Sequence, residues 1–178
     1  MSLSKASPDE GSPKKASPPQ TSEAETSETG TSPAVTPDIF HRFTSGTVQV
    51  REALDQTRAA TQAAQIDTAT CDTSQIILGE VLNNVVEHAY RFEEGHPIEL
   101  SIWLTDAGLW CKIHDQGAPM PNGVPPAGVS AAIDATDRDA LPEGGFGWAM
   151  VRELTQELQY FRVDGCNALL FLIPTQPS

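Results

Sequence analysis

An α/β domain, with helices packed on a sheet that is at least partly antiparallel, is the fold class this sequence predicts. Three observations carry it. Residues 76–90 place Ile77, Val81, Val85 and Ala89 on one helical line and Leu78, Leu82 and Val86 on the next, an apolar stripe suited to burial against a sheet. Next, Ile98, Leu100, Ile102 and Leu104 alternate with Glu99, Ser101, Trp103 and Thr105, a period-two strand with one buried face. The third is the order of elements: a helix followed by hairpins, without strands alternating with helices, gives antiparallel pairing.

Each element follows from its own residues. Residues 1–37 are Ser-, Pro-, Thr- and Glu-rich with almost no large apolar side chain. Such a segment cannot bury enough surface to offset the entropy of ordering, so it reads as a disordered tail, and the domain spans residues 38–178. Ile39 to Phe43 reads as a first strand or an arm. Val48 to Ile66 is rich in Ala, Gln, Arg and Glu, with Val50, Leu54, Ala59 and Ala63 at roughly helical spacing, and reads as a helix. Asp67 to Asp72 supplies polar caps, with Thr70, Asp72 or Thr73 as the start of the striped helix, which runs to about Phe92. A turn at residues 93–97 leads into the strand Ile98–Thr105. Residues 106–108 make a hairpin loop, and Leu109 to His114 returns.

The Pro-, Gly- and Ala-rich residues 122–142 form a long loop, with one short helix near Val129 to Ala135, of the kind that acts as a lid. A further helix follows, with Ala149, Met150, Leu154 and Leu158 inward. Gln159 to Val163 and Ala168 to Ile173, joined by Asp164-Gly165, form the closing hairpin.

Composition narrows the function classes. The chain has 178 residues, enough for one domain with its own core. Eleven Lys and Arg against 24 Asp and Glu give a formal net charge of −13, which argues against a nucleic-acid or anionic-membrane surface. Phosphates held by backbone N–H groups and a metal remain compatible with that charge. Cys71, Cys111 and Cys166 have no zinc or redox spacing and read as reduced thiols of a cytoplasmic protein. No apolar run reaches transmembrane length.

Three stretches carry candidate chemistry. Glu80, Asn84 and His88 follow one another at intervals of four on the striped helix, which stacks a carboxylate, a carboxamide and an imidazole one turn apart. Asp115 and Gly117 stand at a strand end, and Gly144, Gly145, Phe146 and Gly147 open a helix. Taken singly, a solvated helix edge, a turn and a loop account for them. Their order, with the long loop between the last two, is more specific.

Together these stretches resemble the GHKL (Bergerat-fold) ATPases, which include gyrase, MutL and the histidine kinases, and most closely the bacterial anti-sigma factor serine/threonine kinases. The matching stretches are Glu80 to Tyr90, Asp115 to Gly117 and Pro142 to Gly147. The resemblance implies a two-layer α+β sandwich, its mixed, largely antiparallel sheet covered by helices on one face. It implies ATP and Mg²⁺ as cofactors, Asn84 as the metal ligand, Glu80 as the general base and His88 as a structural or secondary contact. By the same resemblance Asp115 would accept a hydrogen bond from the adenine amino group, and Gly117 would let the backbone pass close to the base. Gly144, Gly145, Phe146 and Gly147 would form the phosphate-facing loop. The implied partners are a sigma factor and a STAS-type antagonist protein, with a homodimer possible. Val85 stands where the family commonly has Ala, and Phe146 and Trp148 stand where it often has Arg or Leu, then Leu. Trp148 also reads as a core anchor.

Two other functions fit the same residues: a non-catalytic module that sequesters a partner with nucleotide as a structural ligand, and a stand-alone histidine-kinase-like ATPase domain. Residues 1–37 read as too few and too Pro-rich to make a His-bearing dimerisation helix pair, which disfavours the latter.

Overall fold

Asp67 sets the register of the central helix. Its backbone is extended (φ −59°, ψ 150°) and its carboxylate accepts from Thr70 N at 2.8 Å, so the helix begins at Thr68 and not at Thr70 or beyond. The computed structural model of the protein describes residues 35–128 and 146–175. In chain order these form β1 (Ile39–Thr44), α1 (Thr47–Ala63), α2 (Thr68–Asn84), a π-helical turn (Val85–Ala89), β2 (Pro97–Thr105), β3 (Gly108–Asp115), α3 (Phe146–Leu154), β4 (Gln156–Val163) and β5 (Cys166–Pro174). Residues 1–34, and the expected short helix at Val129 to Ala135, lie outside the described residues.

The helix expected to reach Phe92 changes pitch after Asn84. Tyr90 N bonds to Val85 O at 3.0 Å across five residues. Arg91 and Phe92 then take φ of 52° and 63°, a left-handed conformation that ends the helix. The apolar stripe of α2 is buried as its spacing predicts: Ile77, Leu78, Val81, Leu82, Val85 and Val86 are all in the core. The face of α1 differs from expectation. Val50, Ala53, Thr57 and Thr61 are buried, while Ala59 and Ala63 are exposed. Thr57 and Thr61 can face inward because their hydroxyls donate to Ala53 O (2.8 Å) and Thr57 O (3.0 Å), leaving no bare donor.

The strands run in the order β1-β2-β3-β5-β4, and every pairing among them is antiparallel rather than mixed. Ile98, Leu100 and Ile102 of β2, Leu109, Cys111 and Ile113 of β3, and Leu169, Phe171 and Ile173 of β5 join the core beneath α2. Burial raises the Cys111 thiol far above its ordinary range, so it stays an inert apolar group. The opposite sheet face carries a smaller cluster of Trp103, Trp110 and Leu172. Trp103 does lie opposite the Ile98 face, but it is buried there and not solvated with Glu99 and Ser101, because its indole N–H donates to Val35 O at 3.0 Å.

In α3 the inward residues are Gly147, Trp148, Val151 and, in part, Ala149 and Leu154. Met150 is exposed, and Leu158 belongs to β4, which begins at Gln156. Trp148 and Val151, three apart on a helix that starts at Phe146, set this face. The turn after β3 meets the π turn where Gly117 and Ala118 lie against Ala89, and the end of α2 meets the start of α3 where Trp148 bonds to Asn84.

Candidate functional site

The site has two ends, joined by the C-terminal part of α2 and its π turn. At the first, β3 runs out at Asp115, which pairs in register with Ile98 on β2 and Asn167 on β5. Asp115 is buried. Its Oδ1 accepts from Asn167 Nδ2 at 2.7 Å and from Gly117 N at 2.8 Å. Its Oδ2 takes no hydrogen bond among the described residues, so one acceptor of a buried carboxylate is left for a ligand. Burial pushes the carboxyl above its usual range. The bonds from Asn167 and Gly117 and the nearby charges of His114 and Arg162 oppose that push.

Gly117 follows on a turn pressed against the π turn. A Cβ there would lie 2.6 Å from Ala89 Cβ and 2.7 Å from Ala89 O, so only glycine fits. Ala118 N donates to that same Ala89 O at 2.9 Å. Tyr90 completes the staple: Gln116 N donates to its hydroxyl at 2.8 Å, and the hydroxyl donates to Pro97 O at 2.7 Å. The Asp-x-Gly turn is thus fixed from the helix side and from the sheet side.

Sequence reasoning missed Asn167, Tyr160 and Arg162. Asn167 Nδ2 reaches Ala118 O (3.1 Å) as well as Asp115, while its Oδ1 accepts from Tyr160 Oη at 2.6 Å and from the Arg162 guanidinium. Arg162 also donates to Gly117 O at 3.0 Å. One signal was present: Asn167 holds an inward position in the alternation that continues Leu169, Phe171, Ile173, where a polar group needs partners.

At the second end Glu80 and Asn84 meet as their spacing of four predicts. Asn84 Nδ2 donates to Glu80 Oε1 at 2.8 Å and to Glu80 O at 2.7 Å. Trp148 of α3 donates its indole N–H to Asn84 Oδ1 at 3.0 Å. Gly147 lies directly against Glu80, where a Cβ would collide with the carboxyl group. The first turn of α3 therefore closes on the one carboxylate of the α2 line. His88 is not brought to them: it is exposed on the π turn and makes no hydrogen bond or ion pair among the described residues. Phe146 begins α3, partly exposed. Gly144 and Gly145 lie outside the described residues, as does most of the expected lid. The lid's near end is described, and Arg152 of α3 donates to Pro125 O (2.6 Å) and Pro126 O (2.7 Å) there.

Chemically, the first end offers a buried acceptor beside a close backbone approach, and the second a carboxylate next to an amide oxygen at a helix start. Among the described residues no group of three or more His, Cys, Asp or Glu could hold a metal ion, and no helix is long and apolar enough to cross a membrane.

A family model described as the histidine kinase-like ATPase domain matches residues 43–173, a span that includes both ends of the site. The serine/threonine-protein kinase BtrW of Bordetella bronchiseptica is 32% identical over 108 residues, 60% of this chain and 72% of that protein.

Proposed function

The chain belongs to the histidine kinase-like ATPase domain family, and on that premise we propose that it is an ATP-dependent protein serine/threonine kinase acting as an anti-sigma factor. Its protein substrate is a STAS-type antagonist in a partner-switching pathway, and its other partner is a sigma factor. The kinase name of a relative at 32% identity supports the reaction class. The observation that carries the reading is the Glu80–Asn84 pair, bonded at 2.8 Å and covered by the start of α3.

In this reading Asp115 accepts the adenine amino group on its open Oδ2. Phe146 and Gly147 open α3, where a helix start favours the phosphates, and the family resemblance adds Gly144 and Gly145 to the phosphate-binding residues. A magnesium ion fits the donor set at the second end, because that ion prefers oxygen ligands and shares its shell between few protein groups, water and phosphates. Asn84 Oδ1 would hold it, and it would supply charge neutralisation at the phosphates. Glu80 takes the proton of the attacking Ser or Thr hydroxyl. The hydroxyl oxygen bonds to the γ-phosphorus, the bond from that phosphorus to the β–γ bridging oxygen breaks, and ADP leaves.

The test is to incubate the protein with γ-labelled ATP and a candidate STAS-domain antagonist. Acid-stable, alkali-labile label on the antagonist is expected. Acid-labile label would point to a histidine acceptor, and tight ATP binding without transfer would leave a nucleotide-dependent sequestering module.

A further inference from the structure

We infer that Trp148 is a positioning residue for the metal-facing amide of Asn84, fixing which atom of that amide points where a metal would bind. The inference rests on the reading of Asn84 as metal ligand. It extends to a residue of α3 that has no place in the Glu80–Asn84–His88 line.

The argument is one of donors and acceptors. A carboxamide can turn over, exchanging its oxygen for its nitrogen at almost no cost unless its partners forbid it. Here both partners forbid it. An ionised carboxylate only accepts, so Glu80 Oε1, 2.8 Å away, requires Nδ2 on its side. The Glu80 carbonyl at 2.7 Å requires the same. An indole N–H only donates, so Trp148 Nε1, at 3.0 Å, requires Oδ1 on the other side. Without the indole, Asn84 is held on one flank only. With it, the oxygen is held in place by a bond that engages one of its two lone pairs, and a carboxamide oxygen has a second for a cation.

Trp148 is itself held. It is 6% exposed and packs in the main core cluster. Its neighbour Gly147 rests on the Glu80 carboxyl, so the same helical turn contacts both members of the pair. Partners that orient a metal ligand commonly change metal affinity by about ten- to a hundredfold when removed.

The experiment compares the parent, Trp148→Phe and Asn84→Ala. Phe keeps most of the apolar volume and loses the donor. A non-hydrolysable ATP analogue is titrated without metal, and MgCl₂ is then titrated at saturating analogue. For Trp148→Phe the magnesium midpoint should rise roughly tenfold, while metal-free analogue affinity stays within about twofold. Asn84→Ala should lose the magnesium dependence altogether. If Asn84→Ala keeps it, the ligand reading fails and this inference with it. If only Asn84→Ala is affected, Trp148 is a core residue and no more. Metal-free and metal-bound affinities falling together, or a tighter magnesium midpoint in Trp148→Phe, would also overturn it. A second readout needs no Trp variant: the Trp148 indole N–H resonance should be slow to exchange with solvent, and Asn84→Ala should speed its exchange and shift it. An unchanged resonance contradicts the bond.

Discussion

The two ends of the site are built in different ways. The Asp115 end is a dense network: the carboxylate, Gly117, Asn167, Tyr160 and Arg162 come from β3, the turn after it, β4 and β5, each bonded to at least one other, and Tyr90 at the end of the π turn holds the same turn through Gln116 N. The Glu80 end is a short chain of bonds, from Glu80 to Asn84 to Trp148, along one helix and across to a second. The first end is part of the fold's own hydrogen bonding, so a change there disturbs binding and folding together. The second hangs on few bonds, so chemistry there can be removed with little effect on the frame. Dense networks rigidify a recognition surface, whereas the Glu80 carboxyl, whose one side-chain hydrogen bond among the described residues is to Asn84, is freer to meet a reacting substrate.

The largest effect should follow from Glu80→Gln. It keeps the shape of the side chain and cannot take a proton, so transfer should fall on the order of a hundredfold or more. ATP affinity should stay within about twofold by calorimetry. Transfer at the parent rate would make Glu80 an ordinary half-buried helix residue.

Asp115→Asn should sharpen the contrast from the other side, with ATP affinity falling roughly ten- to a hundredfold, the scale of about 1.5–3 kcal/mol for a hydrogen bond to a charged group. The same position carries a pH signature in the parent. Because burial raises this carboxyl above its ordinary value of 3.8, ionising it is less favourable in the folded protein than in the unfolded chain. Its contribution to stability is therefore full below that value and is lost as pH rises through the elevated pKa. Denaturation midpoints across acid to neutral pH should show this slope in the parent and lack it in Asp115→Asn.

Next comes Gly117→Ala, whose Cβ meets Ala89 and should cost about 1–3 kcal/mol of stability, as overpacking does. ATP affinity should fall with it, since the turn that carries Asp115 must shift. The smallest effect belongs to Thr57→Val in α1, far from both ends in sequence. It removes a hydroxyl bonded to Ala53 O, and its stability change should stay near 1 kcal/mol or less with ATP affinity untouched.

How much of this was legible depended on the range of the interaction. The α2 stripe, the β2–β3 hairpin and the Glu80–Asn84 contact are set by residues a few positions apart, and periodicity reveals them. Asn167 and Asp115 are 52 positions apart, and Trp148 and Asn84 are 64 apart. Neither pairing leaves a trace in local spacing. His88 shows the limit of extrapolating a spacing: an α-helical line through Glu80 and Asn84 reaches it, but the π turn begins at Val85 and changes the pitch before that line arrives. Residues 67–72 offer several capping side chains, with Thr70, Asp72 or Thr73 as possible helix starts, and only the geometry of the Asp67–Thr70 bond decides among them.

The division between a base-recognition end and a chemical end is tested most directly by nucleotide preference. ATP and inosine triphosphate, which has an oxygen where adenine has its amino group, should be titrated into the parent, Asp115→Asn and Glu80→Gln at neutral pH. The parent and Glu80→Gln should both prefer ATP by about tenfold or more, and Asp115→Asn should lose most of that preference. A preference that survives in Asp115→Asn, or that disappears in Glu80→Gln, would contradict the division.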